Sequence, residues 1–356
     1  MPLVRGARRR LIGEQVVATD TGARPPAMSD VAQAAGVSHQ TVSRVLNGHP
    51  SVRPETRERV QDAIARLGYR RNSAARALVT RRSDTLGVVT PASALYGPTS
   101  TLVAFEEAAR EAGWYVSVAT MRRFTADSMR ASVEHFLDQG VDALVVIAPT
   151  REVAQAVSGL DVPVPVVLIS SALELRESVG VLSVGVDQRL GARLATRHLL
   201  ARGHESVLHV AGPQDWFDAQ DRLAGWREEC ETAGIDVPAP IVAGWSADAG
   251  YQVGRELAAG VLPAAIFAAN DQLALGLEHA FWDAGVRVGQ DVAIVGFDDE
   301  VGSAHYLPPL TTVRQDFGRL GALAIDVVRQ ALAGETGQEA PRLVPPEIVV
   351  RRSSGV

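Results

Sequence analysis

Residues 36–48, "GVSHQTVSRVLNG", decide how this chain is read. Polar residues dominate: His39, Gln40, Thr41, Ser43, Arg44 and Asn47, with Val42, Val45 and Leu46 the only apolar residues between them. On a helix turning roughly 100° per residue, His39, Gln40, Ser43, Arg44 and Asn47 fall within an arc of roughly 140°. Val42 and Val45 lie opposite, with Leu46 at the border. A surface helix made only for solubility would use Glu and Arg. Here Gln can bond adenine twice, Arg can bond guanine twice, and Ser or Thr reach base or phosphate. A second helix after a tight Gly turn is the geometry of a helix-turn-helix, whose second helix lies in the major groove. An ordinary polar helix is the plainer alternative.

Working outward, the pattern predicts three short helices. The first covers 29–35, with Ser29 or Asp30 as N-cap and Gly36 as its stop. The second covers 38–46, with Ser38 as N-cap and "NGHP" as its stop. The third opens at Pro54, which suits a first helical turn, and runs to Leu67 before Gly68. Val42 and Val45 should then pack on Val31, Ala35, Ile64 and Leu67. Residues 1–27 read as a loose extension and 28–68 as the helical domain. Residues 69–84 read as a basic, Ala-rich linker with latent helix from Ser73 to Val79, or as a plain tether.

The charge is divided in the same way. Net charge is −6, which by itself argues against nucleic acid. Residues 1–82 hold 15 Arg and 6 acids, a balance of +9, while the rest hold 20 Arg and 35 acids, a balance of −15. A basic head on an acidic body points to a nucleic-acid module joined to something else, a solvated basic tail being the alternative. The chain has no Lys, so every basic contact other than His is a guanidinium.

From Thr85 the pattern changes. Apolar runs such as "TLGVVTP", "DALVVIA", "VPVVLIS", "SVLHVAG", "AAIFAAN" and "DVAIVGFDD" alternate with amphipathic helical stretches, including 99–112, 126–139, 188–202, 219–233, 247–258 and 271–284. Alternation of this kind means mainly parallel sheets with helices on both faces. The series is too long for one sheet. It predicts an α/β core over 85–356 in two lobes, the first about 85–183 and 317–340, the second about 184–316 and 341–356. A ligand would sit at the carboxyl ends of the strands. Several polar and aromatic groups stand there: Asp298 after "VAIVGF", Asn270 after "AAIFAA", and Arg222 and Trp245 in nearby turns. Carboxylate and amide acceptors, a guanidinium fork and an aromatic face are the mix that sugars require. Each has a plainer reading as well: Asn270 or Asp271 as a helix cap, Trp245 as a core or rim aromatic, Arg222 as a surface ion pair, Asp298 as a turn cap.

The run "MSDVAQAAGVSHQTVSRVLNGHPSVRPETRERVQDAIARLGYRRNSAARAL" resembles the head of the lac repressor (LacI/GalR) family of transcription regulators. The segments "RLAGW" (222–226), "ANDQLALG" (269–276), "VGFDD" (295–299) and "LPPLTTVRQDF" (307–317) resemble the same family, so the likeness runs from Met28 to the end. It implies a helix-turn-helix head, a hinge helix, and a two-lobed core like the periplasmic sugar-binding proteins. His39, Gln40 and Arg44 then stand where the family reads bases. Ser38, Thr41, Ser43, Asn47 and Asn72 stand where it holds DNA, and Leu78 where a Leu wedges into the minor groove. Arg71 replaces a Pro that is frequent in the family.

For the effector, the resemblance implies Arg222, Asn270, Asp298 and a stacking Trp245, with Gln315, Phe317, Leu95, Pro98 and Arg123 as lining. Ser170 stands where a relative has a ligand-binding Asp. "DWFDAQDR" places bulky Trp216 and Phe217 beside the crevice, which could add stacking or narrow the site. Leu275 and Tyr306 match dimer-face positions, ordinary burial being the alternative. With no heptad helix after "VVRRSSGV", the expected assembly is a homodimer.

The function implied is a cytoplasmic regulator, a repressor released from a palindromic double-stranded operator by a mono- or disaccharide. The alternatives are the same architecture with a purine or other corepressor, and an exported sugar-binding protein. An enzyme is not expected: no "GxSxG", "HExxH" or phosphate-cradling Gly loop occurs. No cofactor or metal is expected, His204 and His209 having no ligand partners nearby in sequence. Nor is a membrane span, since no apolar run reaches the ~18 residues one requires. Cys230 has no second cysteine to pair with.

Overall fold

The structure is a computed structural model describing residues 24, 26–70, 82–92, 94–123, 125–158, 161–172, 182–335 and 342–355. The chain divides into two compact units, Met1–Ala75 and Arg76–Val356.

In the first unit, α1 (Met28–Ala35), α2 (His39–Leu46) and α3 (Pro54–Leu67) pack around Val31, Ala35, Val42, Val45, Val60, Ala63 and Tyr69. Ile64 and Leu67 add partly buried surface. The start of α1 differs from expectation. Ala27, not Ser29 or Asp30, occupies the N-cap, and it has no capping side chain. The Asp30 carboxylate, one turn in, instead accepts a hydrogen bond from the Ala27 amide at 2.7 Å. Gly36 closes α1 in the left-handed region, φ 62°, where a side chain would be strained. The Val37 amide then reaches the Ala32 carbonyl at 3.0 Å. Ser38 caps α2 by accepting from the Thr41 amide at 3.1 Å.

The second unit holds two six-stranded sheets. Its elements in chain order are β1 (Thr85–Pro91), α4 (Tyr96–Glu111), β2 (Tyr115–Met121), α5 (Ala126–Asp138), β3 (Ala143–Ile147), α6 (Arg151–Ser158), β4 (Val166–Ile169) and β5 (Leu182–Val186). There follow α7 (Gln188–Ala201), β6 (Leu208–Ala211), α8 (Phe217–Thr232), β7 (Ile241–Val242), α9 (Ala247–Ala259), β8 (Ala265–Ala268), α10 (Asp271–Asp283) and β9 (Ala293–Asp298). The last are β10 (Thr311–Arg314), α11 (Phe317–Leu332), β11 (Arg342–Val344) and β12 (Glu347–Val349). Strand order is β11-β5-β4-β3-β1-β2 in the first sheet and β12-β10-β9-β8-β6-β7 in the second. All pairs are parallel except β10–β12. The central strands β1, β3 and β9 are buried along nearly their whole length, as a sheet covered on both faces demands.

The lobe boundaries shift from those read in the sequence. β5, divided there at residue 183, lies wholly in the first sheet, and β11, assigned to the second lobe, also pairs there with β5. The chain therefore passes between lobes near Asp187, near Gln315–Asp316 and near residues 345–346. At the first two passages an Asp caps the next helix: Asp187 accepts from the Leu190 amide and Asp316 from the Arg319 amide. Helices α6 and α11 and strands β5, β10, β11 and β12 were not individually predicted. Among the described residues no helix is long and apolar enough to cross a membrane.

Candidate functional site

Two surfaces carry chemistry, one in each unit. On α2, Val42 and Val45 are buried, while His39, Gln40, Arg44 and Asn47 are exposed and Thr41 and Ser43 half-exposed. The short helix is held by its apolar side and its cap, so the polar strip faces solvent as one row. Ser38 and Thr41 join their hydroxyls at 2.9 Å, and Asn47 Nδ2 lies 3.5 Å from Ser43 Oγ. The Gln40 amide and Arg44 guanidinium can each present paired hydrogen-bonding groups to a base edge. Asn72 and Leu78 lie outside the described residues.

The second surface is the crevice between the lobes of the core. Arg222, on α8, is 3% exposed. Its Nε donates to Gln188 Oε1 at 2.9 Å, its Nη1 to the Ala269 carbonyl, and its Nη2 approaches Asp298 Oδ1 at 3.4 Å. The guanidinium lies 3.7 Å over the Phe297 ring. Gln188 Nε2 donates to Gln315 Oε1 at 2.8 Å, and Gln315 Nε2 to Asp298 Oδ1 at 2.7 Å. Arg222, Gln188, Gln315 and Asp298 thus close a ring of hydrogen bonds across two lobe crossings. Burial pushes the Asp298 carboxyl up to about 7, against the pull of Arg222. Asp298 also has φ 113° and Asp299 φ 52°, a backbone that costs on the order of 1–3 kcal/mol per residue and is stored where surrounding structure enforces it.

Around this ring the structure brings together most of the candidate crevice residues. Leu95, Pro98, Trp216, Arg222, Trp245, Asn270 and Asp298 line one cavity. Pro98, Ser170, Gln315 and Phe317 line an adjoining one, and both share Asp218. Tyr96 meets Phe317 edge-to-face at 5.8 Å. Asn270 does cap α10, its Oδ1 accepting from the Leu273 amide at 2.8 Å, while its Nδ2 donates to the Trp245 carbonyl at 3.0 Å. The capping reading therefore holds for one atom, and the other fixes the Trp245 backbone. The Trp245 ring lies so close to Gly212 that a Cβ there would sit 2.3 Å from it. Its indole N–H is buried without an acceptor among the described residues. Asp271 is spent internally, accepting from the Thr312 hydroxyl and the Glu300 amide.

One lining residue is placed elsewhere. Arg123 follows β2, the outermost strand of its sheet, and lines a separate exposed depression with Met121, Thr125 and Ser132. The lateral offset of an edge strand carries its end away from the central strands where the crevice opens. The sequence reading also missed Gln188, Asp218, Ser171 and Tyr96. Gln188 carried the same signal as Asn270, a polar residue where a strand gives way to a helix. Asp218 sat unremarked within "DWFDAQDR", and Ser171 Oγ donates to its Oδ1 at 2.8 Å, from first lobe to second.

Leu275 and Tyr306 are both half-buried. Exposed Trp282 and Leu307, on α10 and the loop that carries Tyr306, add further apolar surface. Among the described residues no group of three or more His, Cys, Asp or Glu could hold a metal ion.

Comparison with known proteins adds two family matches: bacterial regulatory proteins, lacI family, over residues 27–72, and periplasmic binding protein-like domain over residues 196–354. The lactose operon repressor of Escherichia coli (strain K12) is 35% identical over 333 residues, 93% of this chain and 91% of that protein. A solved lac repressor dimer bound to operator and the anti-inducer ONPF superposes with a TM-score of 0.79 at 34% identity, covering 94% of this chain and 100% of that one. A complex of the transcriptional regulator CelR with cellobiose matches with a TM-score of 0.68 at 30% identity, covering 92% and 99%.

Proposed function

The chain belongs to the lacI family of bacterial regulatory proteins, and from that premise we propose that it represses transcription as a homodimer that a small sugar releases from operator DNA. The observation that carries this reading is the pairing of a solvent-facing donor row on α2 with a crevice whose ring of hydrogen bonds sits at two of the crossings between lobes. His39, Gln40 and Arg44 read base edges; Ser38, Thr41, Ser43 and Asn47 hold phosphates, with Asn72 and Leu78 contributing from the linker. Two heads held at half-site spacing read a palindrome. The face around Leu275 and Tyr306 joins the two copies.

In the crevice, Asp298 and Arg222 offer an acceptor and a donor fork to sugar hydroxyls, and Trp245 offers a ring to the C–H face. Asn270, Gln315, Phe317, Leu95, Pro98 and Ser170 complete the walls. A sugar entering there competes with the Arg222–Gln188–Gln315–Asp298 ring. A ligand can shift the lobes only by binding one arrangement better than the other. Breaking a ring seated at two of the crossings between lobes supplies such a difference, and the shift changes how the two heads are spaced.

The test is a thermal-shift screen of sugars and purines, followed by operator binding with and without each hit. Sugar hits that weaken operator binding support the proposal. Hits among purines alone, or operator binding unmoved by every sugar hit, would sink it.

A further inference from the structure

The two bulky residues of "DWFDAQDR" have separate tasks. Phe217 is 5% exposed and belongs to the first-lobe core, packed with Met129, Phe136 and Val153, although it opens a second-lobe helix. Its amide donates to the Pro149 carbonyl at 2.9 Å, and a β-bridge joins Thr150 to Trp216. With the Ser171–Asp218 bond, these contacts pin residues 216–218 to the first lobe. Trp216 is thereby held with its ring on the cavity, where it meets Trp245 at 5.6 Å between centroids and 74° between planes.

Two aromatic walls nearly at right angles set a geometric condition. A pyranose ring presents its C–H face in one plane and can lie flat on one wall only. The second wall is covered only by a second ring. We propose that Trp216 is a specificity-determining residue, a second stacking platform that makes the effector a disaccharide rather than a monosaccharide. This rests on the sugar-effector reading above. Trp216 is preorganised by Phe217 and the Thr150 bridge, so stacking on it needs little further ordering of the protein.

The experiment is calorimetric titration of the full-length protein with glucose, galactose, cellobiose, lactose and maltose, in the wild type, W216A and W216F. The wild type should bind a disaccharide more tightly than its constituent monosaccharides. W216A should weaken that disaccharide by roughly 5–10-fold, the worth of one aromatic contact, and shift monosaccharide affinity by no more than about twofold. W216F, which keeps a ring face, should recover most of the loss, which separates stacking from folding defects. Equal losses for both sugar sizes, or no loss in W216A, overturn the inference and leave the sugar reading standing. No binding of any of these sugars by the wild type overturns both.

Discussion

At Arg44 the guanidinium stands exposed on a helix face whose opposite side is buried in the head's core. Its contribution is therefore separable from folding. Q40A and R44A should each cost about 1–3 kcal/mol in operator affinity while leaving binding to random duplex much less affected. Competition between operator and random duplex measures this, and unchanged discrimination would remove α2 as the reading helix. Asp298 makes the matching case in the crevice. Burial holds its carboxyl up to about 7, so below that pH it takes a proton, loses its ion pair with Arg222 and loses acceptor capacity. Sugar affinity should fall as pH drops from 8 to 6, and D298N should flatten that dependence while weakening binding at pH 8. Titrations at the two pH values decide it. His39 and Gln40 could be placed from helical periodicity alone. The closed ring through Gln188 could not, because its members are separated by up to 127 residues and meet only when the strand ends and helix starts of the second lobe come together.

Among the elements, α2 has only eight residues, too few to be stable in isolation. Its cap and its buried Val42 and Val45 sustain it. S38A removes the acceptor of the Thr41 amide and should destabilise the head by about 1 kcal/mol. Hydrogen exchange on the full chain should show faster exchange at Thr41 and Val42, with the core's amides unaffected. Strand and helix existence in the core followed from apolar runs and amphipathic periods. Lobe membership did not. β5 and β11 have apolar runs that either sheet could accept, and only the pairing Arg342↔Val184 through Val344↔Val186 assigns them. Likewise the pattern set Phe217 beside the crevice, and packing sent it into the opposite lobe's core. Each lobe thus holds elements from distant parts of the chain, which ties the lobes' relative position to three short crossings.

The whole molecule carries a stability cost in α10. Glu278 is 4% exposed, and neither carboxylate oxygen has a hydrogen-bond partner among the described residues. Burial, with the neighbouring Asp271 charge, pushes its carboxyl up to about 8. The folded chain therefore keeps this proton to higher pH than the unfolded chain does. Stability contributed by this group falls as pH rises from about 4.5 through 8. E278Q should raise the melting temperature at pH 8.5, by an amount corresponding to about 1–3 kcal/mol, and change it little at pH 4.5. Equal shifts at both values would show that the effect is packing alone. The same helix carries Leu275 and exposed Trp282, so the melts should be made at fixed protein concentration.

The amino-acid order by itself determined the three helices of the head, the direction α2 faces, and the alternation that yields parallel sheets. These depend on local periodicity, caps and Gly turns, whose energies lie within a few residues. Tertiary structure alone decided which strands share a sheet, that Arg123 leaves the crevice, that Trp216 and Phe217 part company, and that Arg222 and Asp298 meet in a buried ring. Those outcomes depend on contacts between residues far apart in the chain, where burial and mutual charge, rather than local preference, set the free energy.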